Sequence, residues 1–305
     1  MNNRKKIVIT GASGFLGSHL AERLKDDEKY IVYALSSRPE ALKAKIGGAS
    51  VAFLHKDAFK ESGEFLRDAV VVHCAYPRNS TGTAIADGLK YIQGVFEAAV
   101  ENKAAAIINI SSQSVYSQQR TEAATEQTPV CLESPYAVGK YAVELMLESI
   151  CKGSGTKYTS LRMASLIGPG FDQRIVNRFV KQAVETGEIT VKKNNQRFGF
   201  FDVEDAVGGL MAMLASTVET WDAVYNLGNK HGYTLLDIAL AVSRALSASK
   251  QITVVVEDEE RFGNSSIDAS KFCRAFDFDP SYNLADSVLA IVRKYEGQGL
   301  NEVLS

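Results

Sequence analysis

Within the first 111 residues, five short runs are apolar at almost every position: 7–10, 30–35, 51–54, 70–74 and 106–111. A strand with one wet face alternates polar and apolar residues. A strand apolar throughout is covered on both sides, which is the habit of parallel sheets. Parallel neighbours need long crossovers, and the segments between the runs are helix-like. Leu16, Leu20 and Leu24 recur every four residues, and Val95, Phe96, Ala99 and Val100 mark another helix face. The pattern predicts an α/β chain built on a doubly wound, Rossmann-type parallel sheet with a smaller C-terminal substrate lobe. At 305 residues and 46% hydrophobic there is ample material for such a core.

Further along, 158–163 reads as a sixth strand, 205–214 as a helix, 224–227 as a strand returning to the main sheet, and 234–246 as an amphipathic helix. The expected division is a nucleotide-binding domain over 1–168, to which 203–228 returns, and a substrate lobe made of 169–202 and 229–305. A net charge of −2 supplies no basic field for nucleic acid or an anionic membrane. No apolar run reaches the ~20 residues a spanning helix needs. The start, Met1-Asn2-Asn3-Arg4-Lys5-Lys6, leads straight into a strand, so a cytoplasmic protein is expected. Cys74, Cys131, Cys151 and Cys273 have no C-x-x-C spacing, so neither a metal site nor a disulfide framework is expected.

Ligands of doubly wound sheets sit beyond the carboxyl ends of the strands. The first such end carries Thr10-Gly11-Ala12-Ser13-Gly14-Phe15-Leu16-Gly17. Glycines between a strand and a helix let the backbone approach a pyrophosphate and present helix N–H groups to its charge. Gly11, Ser13, Gly14, Phe15, Leu16 and Gly17 are therefore cofactor-binding candidates, with a purely structural tight corner as the competing reading. The second strand ends in Ser36-Ser37-Arg38-Pro39, where an NAD site would place a carboxylate. Hydroxyls and a guanidinium suit a 2′-phosphate, so NADP is expected in preference to NAD. The same residues could simply open a helix, Pro39 in its first turn. Asp57, after the third strand, is either an acceptor for the adenine amino group or a turn cap.

A second group lies at the fifth strand and beyond it. Ser111-Ser112-Gln113-Ser114-Val115-Tyr116 ends the strand, and Tyr136-Ala137-Val138-Gly139-Lys140 follows. Residues i and i+4 share a helix face, and an ammonium beside a phenol favours the phenolate, which fits tyrosine for acid–base work near neutral pH. With twelve tyrosines in the chain the spacing alone is weak. The upstream serines, placed to donate to a reacting oxygen, give it weight.

Taken together, these runs resemble the extended short-chain dehydrogenases/reductases of the NAD-dependent epimerase/dehydratase family. The likeness rests on Thr10-Gly11 through Gly17, Asp57, Val71-Val72-His73-Cys74-Ala75, the serine run ending in Val115-Tyr116, Tyr136 and Lys140, Arg162 through Gly168-Pro169-Gly170, Phe201 through Asp205, Tyr225 through Gly228, and Asp268 through Lys271. The resemblance implies Ser112, Tyr136 and Lys140 as catalytic residues. It implies a cofactor site that also takes in Asp57, Ala58, Ala75, Tyr136 and Lys140. Arg197 and Arg261 fall near positions where family members hold diphosphate-binding arginines, and with Ser112 they are the substrate candidates. Surface solvation is the competing reading for both arginines. The family's dehydratases carry an Asp-Glu pair where this chain has Gln113 and Ser114, and its epimerases an asparagine where this chain has Ser165.

The leading expectation is an enzyme acting on a nucleotide sugar by reversible hydride transfer, with Tyr136 as acid–base. An NADPH-dependent carbonyl reductase is the alternative, favoured by Ser36-Ser37-Arg38 and by Ser165. A non-catalytic nucleotide-sensing protein is the third, disfavoured because Ser112, Tyr136 and Lys140 are all present. The partner is a small molecule, and a homodimer is expected, paired through the helices near Val95 and Tyr141.

Overall fold

The computed structural model describes residues 4–77, 81–171, 175–229, 231–247, 250–260 and 262–297. The elements run β1 (Lys5–Thr10), α1 (Phe15–Leu24), β2 (Tyr30–Ser36), α2 (Pro39–Ile46), β3 (Val51–His55), β4 (Val70–His73), α3 (Gly82–Glu101), β5 (Ala106–Ser112), α4 (Pro135–Cys151), β6 (Lys157–Met163), β7 (Ser165–Ile167), α5 (Ile175–Thr186), β8 (Glu188–Lys193), β9 (Phe198–Asp202), α6 (Val203–Ala215), β10 (Val224–Leu227), β11 (Gly232–Tyr233), α7 (Leu235–Leu246), β12 (Thr253–Asp258), α8 (Ser270–Phe276) and α9 (Leu284–Gly297). A seven-stranded sheet has the order β3-β2-β1-β4-β5-β6-β10. The pairs from β3 through β6 are all parallel. The expected doubly wound sheet is therefore the observed one.

The order explains where a ligand would go. The chain winds outward from β1 to β3, then crosses to β4 on the other side of β1. The loops after β1 and β4 therefore diverge at the switch point, where open α/β sheets leave a crevice. The apolar strands behave as their composition demands. Ile7, Val8 and Ile9 of β1 and Ile107 and Ile108 of β5 are completely buried. One core gathers Val8, Val71 and Ile107 of the sheet with Ile92, Val95 and Phe96 of α3 and Val143 and Leu147 of α4. Thus α3 and α4 are fixed by apolar faces laid on the sheet.

The chain forms two compact units, neither a continuous stretch of sequence. The first comprises 1–115, 130–163 and 210–225; the second comprises 116–129, 164–209 and 226–305. The second unit has its own core, in which Val176, Phe179 and Val180 of α5 meet Ile238 and Val242 of α7 and Val288 and Ile291 of α9. It also holds a three-stranded sheet, β11-β9-β7, and a parallel pair, β12-β8. Helix α7 starts where its sequence says it should. The Thr234 hydroxyl accepts from Asp237 N–H at 3.1 Å while Asp237 accepts from Thr234 N–H at 2.8 Å, a capping box.

Candidate active site

The glycine run after β1 folds as a tight corner that only glycine can make. Gly11 has φ +65°, and a Cβ there would lie 2.7 Å from the backbone of Ala75, in the loop after β4. At Gly17 a Cβ would meet the Gly11 carbonyl oxygen at 2.4 Å. The Gly14 N–H donates to Gly11 O at 2.8 Å, and Gly14 is the N-cap of α1. That cap has no side-chain hydrogen bond, and the first turn has no acidic residue. The positive end of the helix is thus left to an external anion.

A cavity of about 640 Å³ opens here. Among the expected cofactor residues, Gly11, Ser13, Gly14, Ser36, Ser37, Arg38 and Ala75 line it. Leu16 and Gly17 are instead buried in the packing of α1, and Phe15 stacks edge-on against His19 at 5.0 Å. Lys56, Cys74, Tyr76, Asp87 and Tyr91 join the wall although none was among the cofactor residues expected from the sequence. The signal for Cys74 was its place within the Val71–Ala75 run, and for Tyr76 its place next to it. Lys56 and Asp87 carried none.

At the end of β2 the Ser36 hydroxyl is buried and accepts the Arg38 N–H at 3.0 Å. Arg38 is the N-cap of α2, with Pro39 in the first turn. Ser36 therefore fastens a helix start, while Ser37 and Arg38 are exposed. Asp57 is ion-paired with Lys60 at 2.8 Å and Lys56 at 3.1 Å. The hydrogen bond from Lys60, with that from Lys56, holds its carboxyl below the usual range. Ala58 begins the short 3₁₀ turn that follows.

The serines at the end of β5 part company, as neighbours on a strand must. Ser111 donates to the buried carboxylate of Glu144 on α4. The Ser112 hydroxyl accepts from the N–H of Ser114 at 3.2 Å and from its hydroxyl at 3.0 Å. Helix α4 begins just before Tyr136: Ser134 caps it by accepting from Ala137 N–H at 3.2 Å, and Pro135 occupies its first turn. Tyr136, Lys140 and Glu144 then fall on one face. Glu144 is clasped by Arg162 of β6, with Nη2 to Oε2 at 2.7 Å and Nε to Oε1 at 3.1 Å, both side chains buried. The Tyr116 hydroxyl, two residues past Ser114, donates to Asn226 at 2.8 Å; the ring is wholly buried and structural.

Lys140 is buried and donates from Nζ to the carbonyl of Ile110 at 2.7 Å. Burial pushes its pKa down to about 8, against opposing contributions from Cys74 and Glu144. Near it the buried His73 meets the Thr10 hydroxyl at 2.7 Å through Nδ1. Burial first, then the Lys140 charge, push His73 down to about 3, so its ring is neutral. The ring of Tyr76 packs against both members of the expected pair, 4.2 Å from Lys140 Nζ and edge-on to Tyr136 at 5.3 Å. Arg197 belongs to the second unit, where its Nη1 donates to the carbonyl of Gly232 at 3.2 Å. Arg261 lies outside the described residues.

A model of the NAD dependent epimerase/dehydratase family matches residues 7–228. This chain belongs to that family. The family match takes in β1 through β10 and every catalytic candidate. UDP-glucuronic acid decarboxylase 1 of Xenopus tropicalis is 24% identical over 285 residues, covering 85% of this chain but only 64% of that protein. The chain thus spans just under two thirds of that relative's length. An uncharacterized UDP-glucose epimerase of Bacillus subtilis is 25% identical over 305 residues, 93% of this chain and 95% of that one. Among solved structures, UDP-glucuronic acid 4-epimerase from Bacillus cereus in complex with UDP-glucuronic acid and NAD matches with a TM-score of 0.82 at 23% identity, covering 96% of this chain and 99% of that one.

The family structures correct the cofactor expectation. The same epimerase, also solved with NAD alone, carries NAD and not NADP. After β2 the Ser36 hydroxyl accepts the Arg38 N–H at the α2 start, so one of the three expected phosphate contacts helps to open a helix, while Ser37 and Arg38 stay exposed. Among the described residues no helix is long and apolar enough to cross a membrane.

Proposed function

We propose that this enzyme inverts a hydroxyl-bearing carbon of a nucleotide sugar, with NAD as its resident cofactor and Tyr136 as the acid–base. The observation carrying this reading is the Tyr136–Lys140 pair on one face of α4, its lysine buried and charged below about pH 8 beside a glycine-lined cavity. The cavity suits a dinucleotide: Gly11 and Gly14 line it without side chains, and the N-terminus of α1 is uncapped by any side chain. Gly11, Ser13, Gly14 and Ala75 would hold the diphosphate side, and Lys140 the ribose nearest the reaction. NAD, when bound, supplies the reversible acceptor for a hydride.

Tyr136 Oη takes the proton of the sugar hydroxyl and later returns it. Ser112 donates to the same oxygen as it gains carbonyl character. The Lys140 ammonium favours the ionised phenol. Gln113 and Ser114 offer no carboxyl, so dehydration lacks a general acid here. The carbonyl reductase reading leaned on Ser36-Ser37-Arg38 as an NADP site and on Ser165, and NAD in the family structures removes the first of these supports. Recognition of the nucleotide sugar is assigned to the second unit, Arg197 included. The homodimer also belongs to the proposal, with Val138 and Leu145 exposed on α4 for the contact.

The test uses purified protein, NAD and a panel of UDP-hexoses and UDP-hexuronic acids, with sugar stereochemistry followed by proton NMR. Epimer formation without accumulation of NADH is expected. Tyr136→Phe should lose more than ~10²-fold in turnover, the scale of lost acid–base help, with NAD affinity little changed. Net consumption of reduced cofactor, or near-normal turnover in folded Tyr136→Phe, refutes the reading.

A further inference from the structure

Tyr76 stands where no protein hydrogen bond asks for it. Its hydroxyl is buried and without a partner, and burial pushes the phenol up to about 12, so it is neutral. What the ring does touch is the reactive face of α4. The Lys140 Nζ lies 4.2 Å from the Tyr76 ring centroid and 5.9 Å from that of Tyr136, and the two tyrosine rings meet at 83°. The hydroxyl end enters a notch in α4 that depends on one residue. A Cβ on Gly139 would fall 2.0 Å from Tyr76 Oη, but 3.3 Å from Cζ. Glycine in mid-helix costs stability, and here it admits the ring.

Resting on the acid–base reading above, we propose that Tyr76 is a positioning residue that holds the Lys140 ammonium on its ring face and braces Tyr136 edge-on, with Gly139 as the notch that seats it. Around Lys140 the Ile110 carbonyl accepts one of the ammonium protons at 2.7 Å, and the ionisable groups leave the rest of this task to a ring. Cys74 of the β4 end is a neutral thiol, its pKa raised to about 12, and His73 is neutral. Glu144 of α4 is clasped by Arg162 and Ser111. Asp87 of α3 lines the cavity, and no carboxylate is ion-paired with Lys140 among the described residues. A cation over an aromatic face is stabilised most where water is excluded. Removing the face disfavours the ammonium, so Lys140 should lose its proton at lower pH.

The experiment titrates Lys140 by NMR in the full chain labelled at lysine Cε, its signal identified by its loss in Lys140→Arg. Tyr76→Leu should lower the midpoint by ~0.5–1.5 pH units, the cation–π contribution expressed as a shift. Gly139→Ala should do the same by expelling the hydroxyl. Tyr76→Phe keeps the face and should keep the midpoint. The double variant Tyr76→Phe/Gly139→Ala should recover it, because the clashing oxygen is gone. A parent-like midpoint in Tyr76→Leu, or a Gly139→Ala shift that persists undiminished in the Phe background, overturns the proposal. No substrate enters the measurement. Shifts as expected alongside an active Tyr136→Phe would leave this inference standing and remove the acid–base assignment; the reverse pattern would do the opposite.

Discussion

Ser111 and Ser112 are chemically identical and adjacent in the chain, yet their surroundings give them different work. Ser111 faces a buried carboxylate, and Ser112 opens on the side of the neighbouring turn. Ser111→Ala should cost stability, ~1.5–3 kcal/mol for a hydrogen bond to a charged group, with kcat nearly unchanged. Ser112→Ala should lower kcat by ~10²–10³ if it donates to the developing oxyanion, with little change in melting. Denaturant melts and steady-state kinetics on the two variants separate these outcomes. If Ser112→Ala is kinetically silent while Ser114→Ala is not, the reacting oxygen sits one turn further on. At this scale the sequence was legible where spacing alone fixes geometry, as for Tyr136 and Lys140 on a shared helix face. Tyr76 was not legible, because its importance depends on a glycine 63 positions away. Ser36 misled because a hydroxyl that closes a turn and one that binds phosphate look the same in sequence.

The same contrast separates the elements. The strands of the seven-stranded sheet were readable because burial on both faces makes their composition uniform. Two strands of the second unit were not. In β8 only Ile189 and Val191 are buried, and β12 has no fully buried residue. The alternation in β8 spans only Ile189 and Val191 before two lysines, and β12 has no buried face at all, so the pair offers too short a pattern to read. The β1–α1 corner is the element whose sequence most tightly dictates its shape. Gly17→Ala would force a methyl group to 2.4 Å from the Gly11 carbonyl, so α1 must shift away from the loop. NAD affinity should fall at least ~10-fold, in line with a loss of 1.4 kcal/mol or more. Gly82→Ala is the control. It opens α3, and its methyl would meet nothing within 4 Å. Calorimetric titration with NAD should find that variant unaltered, and equal affinities in the two variants would remove the corner from cofactor binding.

In the molecule as a whole, the first unit is assembled from three separated segments, and the cavity and the Ser112–Tyr136–Lys140 group all lie in it. Its stability should therefore be linked to cofactor directly. NAD at about a hundred times its Kd should add ~2.7 kcal/mol to the unit that binds it, seen as a rise in its thermal transition. NADP at the same concentration should add less. No shift with either nucleotide would deny the site its ligand. The fold class was legible at this scale because an apolar parallel sheet admits few architectures. The buried clasp of Glu144 by Arg162 was invisible, since it joins residues 18 apart across two elements. That clasp has a consequence for the angular phase of α4. An atom on a helix surface lies ~5 Å from the axis, so a rotation of ~10° carries it ~1 Å, a displacement that can cost ~10²-fold in rate. Bidentate geometry tolerates little rotation. The ion pair two turns below the phenol thus works as an indexing pin, and the angle at which α4 presents Tyr136 is set by a buried contact two turns away.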